Sequence, residues 1–174
     1  HFQATLGMHT GSVTFERPSL GSWVTYGLGT ENANLPAFVV LAPHDPYAGA
    51  QTWSANFLPP AFQGVRLRPS ASPVPDTEPR QTAELQDAEL ELLRRRNRRH
   101  ADERVDAPEL EARLQSFETA FRMQTEAPET FELKGESDAT LASDGVERGK
   151  HGGFGWQCLM ARRLAERGVR FIQV

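Results

Sequence analysis

The sequence predicts an α/β chain: a partial, mostly parallel sheet flanked by helices, with a helical hairpin inserted. Three observations carry this. Residues 37–42, Ala-Phe-Val-Val-Leu-Ala, are apolar on both alternating faces and β-branched at the centre. That pattern marks a strand buried on both sides in a parallel sheet. Near the end, Trp156, Leu159, Met160 and Leu164 form a helical stripe that runs to Gly168 and then into a strand pattern over 169–174. A helix, one Gly and a β-branched strand make the second half of a βαβ unit. Between these, two helical segments meet at a turn near Asp106.

The chain is expected to form one incomplete domain. Residues 1–67 form a strand-and-loop region, 68–81 a Pro-rich linker, 82–125 the hairpin and 152–174 the helix–strand unit. Within 1–35, rich in Gly, Ser and Thr, a short helix is expected over 19–28, with Pro18 in its first turn and Gly27 and Gly29 at its end. Pro36 and Pro43 bracket the strand at 37–42 and limit its length. Eight of the twelve prolines fall in 43–80, so this stretch reads as a long irregular segment. Its first half holds Tyr47, Trp53, Phe57 and Phe62 and is expected to pack; its second half is polar.

In the hairpin, Leu85, Glu89 and Leu92 share one face of the first helix. Pro108 opens the second, where Leu110, Leu114, Phe117 and Phe121 step by four, three and four, as a buried stripe does. Residues 126–150 are acidic and show no clear period. In the last helix Arg162, Arg163 and Arg167 stand where cations favour the helix dipole.

A net charge of −4 excludes nucleic-acid binding by bulk charge. No apolar run approaches the roughly 18 residues that span a bilayer, so no transmembrane segment is expected. The single Cys158 excludes an internal disulfide and a Cys-rich zinc site. Its place in an apolar helix favours a buried, inert thiol over a nucleophile. The chain begins at His1 without a Met and stops at Val174 inside a strand pattern, so a piece of a longer protein is expected. Alone, such a piece would leave sheet edges uncovered and fold poorly.

The motifs with a chemical reading each have a bland one. Arg94, Arg95, Arg96, Arg98 and Arg99 could bind phosphate. Over 84–104, however, six Arg meet six acids, which favours a solvated helix face. The five histidines share no ligand spacing, so no local metal site is encoded. His44 and Asp45 follow the strand at 37–42, and parallel sheets bind ligands beyond their carboxyl ends. Asp45-Pro46 is equally a turn initiator. Gly149-Lys150-His151 fails as a phosphate loop, because Ser or Thr must follow the Lys. Ser22 lacks the closing Gly of a nucleophile elbow. The mixed segment 49–64 either lines a pocket or caps a core.

Several ordered blocks carry a resemblance. They are Arg17-Pro18-Ser19-Leu20-Gly21-Ser22-Trp23 running on to Gly29, with Leu35-Pro36-Ala37-Phe38; the segment 49–64; Glu111-Ala112-Arg113 and Ala120-Phe121-Arg122-Met123-Gln124; and Gln157-Cys158-Leu159-Met160-Ala161-Arg162 with Glu166-Arg167-Gly168-Val169-Arg170-Phe171. Together they resemble the bacterial sulfatase-like proteins of the DUF1501 family, and through them the alkaline phosphatase superfamily. One departure is Ser143-Asp144-Gly145, where the family pattern has an aromatic before the Gly.

The resemblance implies an alkaline phosphatase/sulfatase-like fold and an exported, periplasmic protein that hydrolyses phosphate or sulfate esters when complete. It implies a divalent metal such as zinc, calcium or magnesium, which would stabilise the attacking and leaving oxygens. The metal ligands would lie mostly before residue 1 and after Val174, and His1, Thr10 and Gly11 resemble the stretch that follows the nucleophile. The candidate substrate contacts in this chain are His44, Asp45, Gln51, Trp53 and Gln63. The alternative is a non-catalytic binding or cell-surface interaction module on the same fold.

Overall fold

The computed structural model describes residues 1–74, 81–102 and 108–174. The elements are α1 (Phe2–Thr10), α2 (Leu20–Leu28), β1 (Phe38–Leu41), β2 (Val65–Leu67), α3 (Ala83–Asp102), α4 (Pro108–Phe131), α5 (Asp138–Ser143), α6 (Phe154–Glu166) and β3 (Phe171–Gln173). Two short 3-10 helices, Gly49–Trp53 and Pro60–Phe62, lie in the crossover from β1 to β2. The expected linker residues 75–80 and the turn near Asp106 lie outside the described residues.

The three strands form one sheet in the order β2-β1-β3, parallel throughout. Val39 is level with Val65 and Ile172. All four residues of β1 are buried, as a central strand covered on both faces requires. One face presents Val39, Leu41 and Leu67 to Met123 and Ala127 of α4, Leu141 of α5, and Trp156, Leu159, Met160 and Leu164 of α6. The other presents Phe38 and Val40 to Trp53, with Phe171 packed beside them. This is a mixed α/β architecture, helices on one side and α2 with the crossover on the other.

Local chemistry explains most boundaries. Ser19 caps α2: its hydroxyl accepts from the Ser22 N–H at 3.4 Å, and Gly29 closes the helix at φ 68°. Pro18 therefore stands outside the first turn rather than in it. Gly21 lets α2 lie directly on the sheet; an added Cβ would sit 2.5 Å from the Phe38 ring. Gly168 has φ 82° and ends α6, as its place in the sequence predicts. Its neighbour Arg167 reaches back to the Arg163 carbonyl at 3.4 Å.

The hairpin differs from expectation in its details. Gln86 donates to Gln124 (2.9 Å) and Arg94 to Glu118 (3.0 Å), so α3 and α4 run antiparallel side by side. Of the stripe that the spacing of α4 suggests, Leu114 and Phe121 are half-buried and the Leu110 side chain lies outside the described residues. Phe117 is exposed, whereas Met123, Ala127 and Thr130 are buried. They are buried because this half of α4 packs on α6 and the sheet. The helix also continues through Pro128 to Phe131, into the stretch that shows no period.

Arg163 is the largest surprise in α6. It is buried, and it donates from Nε to the Thr130 carbonyl at 2.7 Å and from a terminal nitrogen to the Glu129 carbonyl at 2.8 Å. It thus caps carbonyls in the last turn of α4. Its other nitrogen pairs with Glu136 at 2.6 Å. Cys158 is exposed rather than buried. At 100° per residue it falls opposite the face that Trp156, Met160, Arg163 and Leu164 bury. Among the described residues no helix is long and apolar enough to cross a membrane.

Candidate functional site

The parallel sheet has two unlike edges. At the carboxyl edge, β1 leads into His44 and Asp45, β2 leads into Arg68, and β3 ends at Gln173. Helix α1 reaches over this edge. His1 stacks on Tyr47 with ring centres 5.0 Å apart, and His9, at the other end, hydrogen-bonds Gln173. Burial lowers the pKa of His9; the bond to Gln173 opposes this with a smaller effect. His9 is therefore a neutral imidazole near pH 7, able to accept a proton or act as a ligand.

Arg66 organises the β2 side of the same edge. Its guanidinium pairs with Asp45 and donates from Nε to the Ala42 carbonyl at 3.1 Å. It also lies 5.9 Å over the Trp53 ring. The side chain is 14% exposed, so these partners fix a cation that is mostly buried yet still partly open to solvent. Fixed guanidinium groups suit tetrahedral oxyanions, because their planar fork offers paired donors.

The amino edge is different in kind. A cavity of about 690 Å³ opens between the segment leading into β1 (Leu35, Pro36, Ala37), the 3-10 helix before β2 (Pro60, Ala61, Phe62) and α4 (Thr119, Ala120, Met123). Its wall is mainly apolar, and among the described residues Arg122 is the charged one that lines it. Beside it Trp23, Tyr26, Phe57 and Phe62 form a row of edge-to-face contacts 5.2–6.1 Å apart. Trp23, Tyr26 and Phe57 are each exposed by 44% or more. Shape alone favours this edge as a binding site, but the titratable groups gather at the other.

The sequence model of the DUF1501 family, described as a protein of unknown function, matches residues 1–174. The chain belongs to this family. No curated protein and no solved structure matches it at a significant level.

In this DUF1501 chain the five candidate contacts do not converge on one point. Asp45 and Trp53 are brought together by Arg66. His44 is exposed beside Asp45. Gln51 is half-buried on the same 3-10 helix as Trp53. Gln63 stands at the amino edge, lines the cavity there, and has its carbonyl oxygen occupied by the Ala55 N–H at 2.8 Å. Segment 49–64 thus does both things its composition allows. Trp53, Ala55 and Leu58 are buried, whereas Phe62 and Gln63 line the cavity. Ser22 is tied to the Ser54 carbonyl at 3.1 Å and is wholly buried.

Three groups at the carboxyl edge escaped residue-level reading: His9, Arg66 and Gln173. Arg66 sits in a segment that reads as irregular, and His9 has no partner within helical or strand spacing. Only the topology brings them to one edge. Among the described residues, no three His, Cys, Asp or Glu side chains form a metal-holding group. These residues do not by themselves complete a divalent-metal site.

Proposed function

We propose that this chain forms the substrate-side wall of an exported phosphate or sulfate ester hydrolase of alkaline phosphatase/sulfatase type, with the reacting ester at the carboxyl edge of the sheet. The observation that supports this best is that the Asp45–Arg66 pair, with His44 beside it, and the His9–Gln173 hydrogen bond both lie toward the carboxyl edge of three parallel strands. Open parallel sheets bind their ligands there. On this reading Arg66, held by Asp45, orients the anionic ester, His44 contacts its exposed side, and Trp53 and Gln51 form the wall beneath. Neutral His9 carries a proton to or from the reacting oxygens. The divalent metal rests on the family resemblance, and its ligands come from outside the described residues.

The test is turnover of an aryl phosphate and an aryl sulfate by the complete protein, with zinc, calcium or magnesium supplied. We expect hydrolysis of one of them and a loss of about 10²-fold in kcat/KM for His9→Gln. A folded, metal-loaded protein that turns over neither ester contradicts the reading. A second reading is favoured by the aromatic row along the amino-edge cavity: a non-catalytic binding module whose partner docks on Trp23, Tyr26 and Phe57. It predicts that no ester is hydrolysed and that Trp23→Ala abolishes partner binding.

A further inference from the structure

Helix α3 carries a seam that the described residues leave open to solvent. Leu85, Glu89, Leu92, Arg96 and Arg99 follow one another at steps of four, three, four and three, the spacing of a coiled-coil stripe. Leu85 is 53% exposed and Leu92 55%. The side of α3 turned toward α4 is a different one, with Gln86 bonded to Gln124 and Arg94 to Glu118. These two pairs also set the register, and they place exposed Leu93 level with exposed Phe117 on α4. Single exposed leucines are ordinary; here two of them, Leu85 and Leu92, lie seven residues apart on one face of a 20-residue helix, with Glu89, Arg96 and Arg99 completing the row.

The charge along α3 says what would cover the stripe. Glu84, Asp87, Glu89 and Glu91 fill its first half, and Arg94, Arg95, Arg96, Arg98 and Arg99 its second. Glu91 and Arg95 pair within the helix at 3.7 Å, and Arg94 pairs with α4. Glu89, Arg96 and Arg99 make no ion pair among the described residues. A helix acidic at one end and basic at the other complements itself when turned end for end. A parallel copy would instead set acid against acid and arginine against arginine.

We propose that α3 is a homodimerisation element, pairing antiparallel with α3 of a second copy about a two-fold axis near Leu92. In that arrangement the Leu92 side chains meet at the centre, and Glu89 of each copy lies level with Arg96 of the other. Leu85 packs along the aliphatic stem of Arg99. An isologous contact of this kind closes on itself and stops at two copies. The arginine run that reads as a solvated face then has a structural role at the ends of the seam. The proposal is independent of the reaction assigned to the sheet edge.

The experiment is the oligomeric state of the full chain, read by light scattering and sedimentation at micromolar concentration. We expect twice the chain mass. Glu89→Arg alone and Arg96→Glu alone should each weaken association at least about tenfold, since each sets like charges face to face twice. Mixing the two single variants should restore a dimer, because each then offers what the other lacks. Combining both changes in one chain should restore the homodimer. Circular dichroism on each variant checks that the fold persists. A monomeric wild type, a dimer indifferent to both reversals, or a mixture that stays monomeric would each overturn the proposal.

Discussion

Arg163 shows how one side chain can hold two elements together. It is 9% exposed, and its three bonded nitrogens meet the last carbonyls of α4 and the carboxylate of Glu136. Glu136 is held below the ordinary carboxylate range, chiefly by the Arg163 hydrogen bond, with Arg162 assisting. Replacing Arg163 with Met should cost about 3 kcal/mol, because α4 loses its cap and Glu136 its partner. Chemical denaturation checks this. The sign with pH follows from the lowered carboxyl. Its stabilisation is complete above the unfolded carboxyl pKa of about 4.3 and is lost as pH falls through the lower folded value. Arg163→Met should therefore flatten the acid limb of the stability curve. A variant as acid-sensitive as wild type would contradict this. The sequence marks Arg163 as a cation suited to its own helix dipole. It gives no sign that the side chain turns inward, because the carbonyls it serves lie more than thirty residues away.

At the scale of elements, β1, α2 and α6 are legible in the sequence, because each combines a strong apolar pattern with punctuation by Pro, Ser or Gly. Strand β2 is not legible. Three residues flanked by prolines carry no period, and their pairing with β1 is settled by the tertiary structure. Helix α1 escapes for a related reason: it buries only Leu6 and has no clear apolar face. The end of α4 is hidden by Pro128, which usually stops a helix but here sits on the exposed side, where a missing N–H costs least. The seat of α2 supplies a test. Phe38 and Phe171 cross edge to face at 5.2 Å directly beneath Gly21. Gly21→Ala should raise helix propensity yet destabilise the protein by about 1–3 kcal/mol, because the rings cannot yield. A thermal melt at or above the wild-type temperature would show that α2 has room to lift.

For the whole molecule, the sheet sorts its chemistry by edge. The mainly apolar cavity and the row of Trp23, Tyr26 and Phe57 lie where the strands begin, whereas His9, His44, Asp45 and Arg66 lie toward where they end. His44 and Asp45 are readable as site candidates because they directly follow a strand that the sequence makes plain. His9 and Gln173 are not, since their meeting depends on α1 reaching across to β3. Gln63 illustrates the converse, a residue close in sequence to the others yet placed at the opposite edge. The proposed function therefore turns on which edge receives an anion. The most direct measurement is a titration of the isotope-labelled protein with inorganic phosphate and sulfate, followed residue by residue by nuclear magnetic resonance. Ester binding at the carboxyl edge gives shifts that cluster at His9, His44, Asp45, Arg66 and Gln173 and vanish in Arg66→Gln. Shifts confined to the amino-edge cavity around Leu35, Gln63 and Thr119, or none in the folded protein, would contradict it.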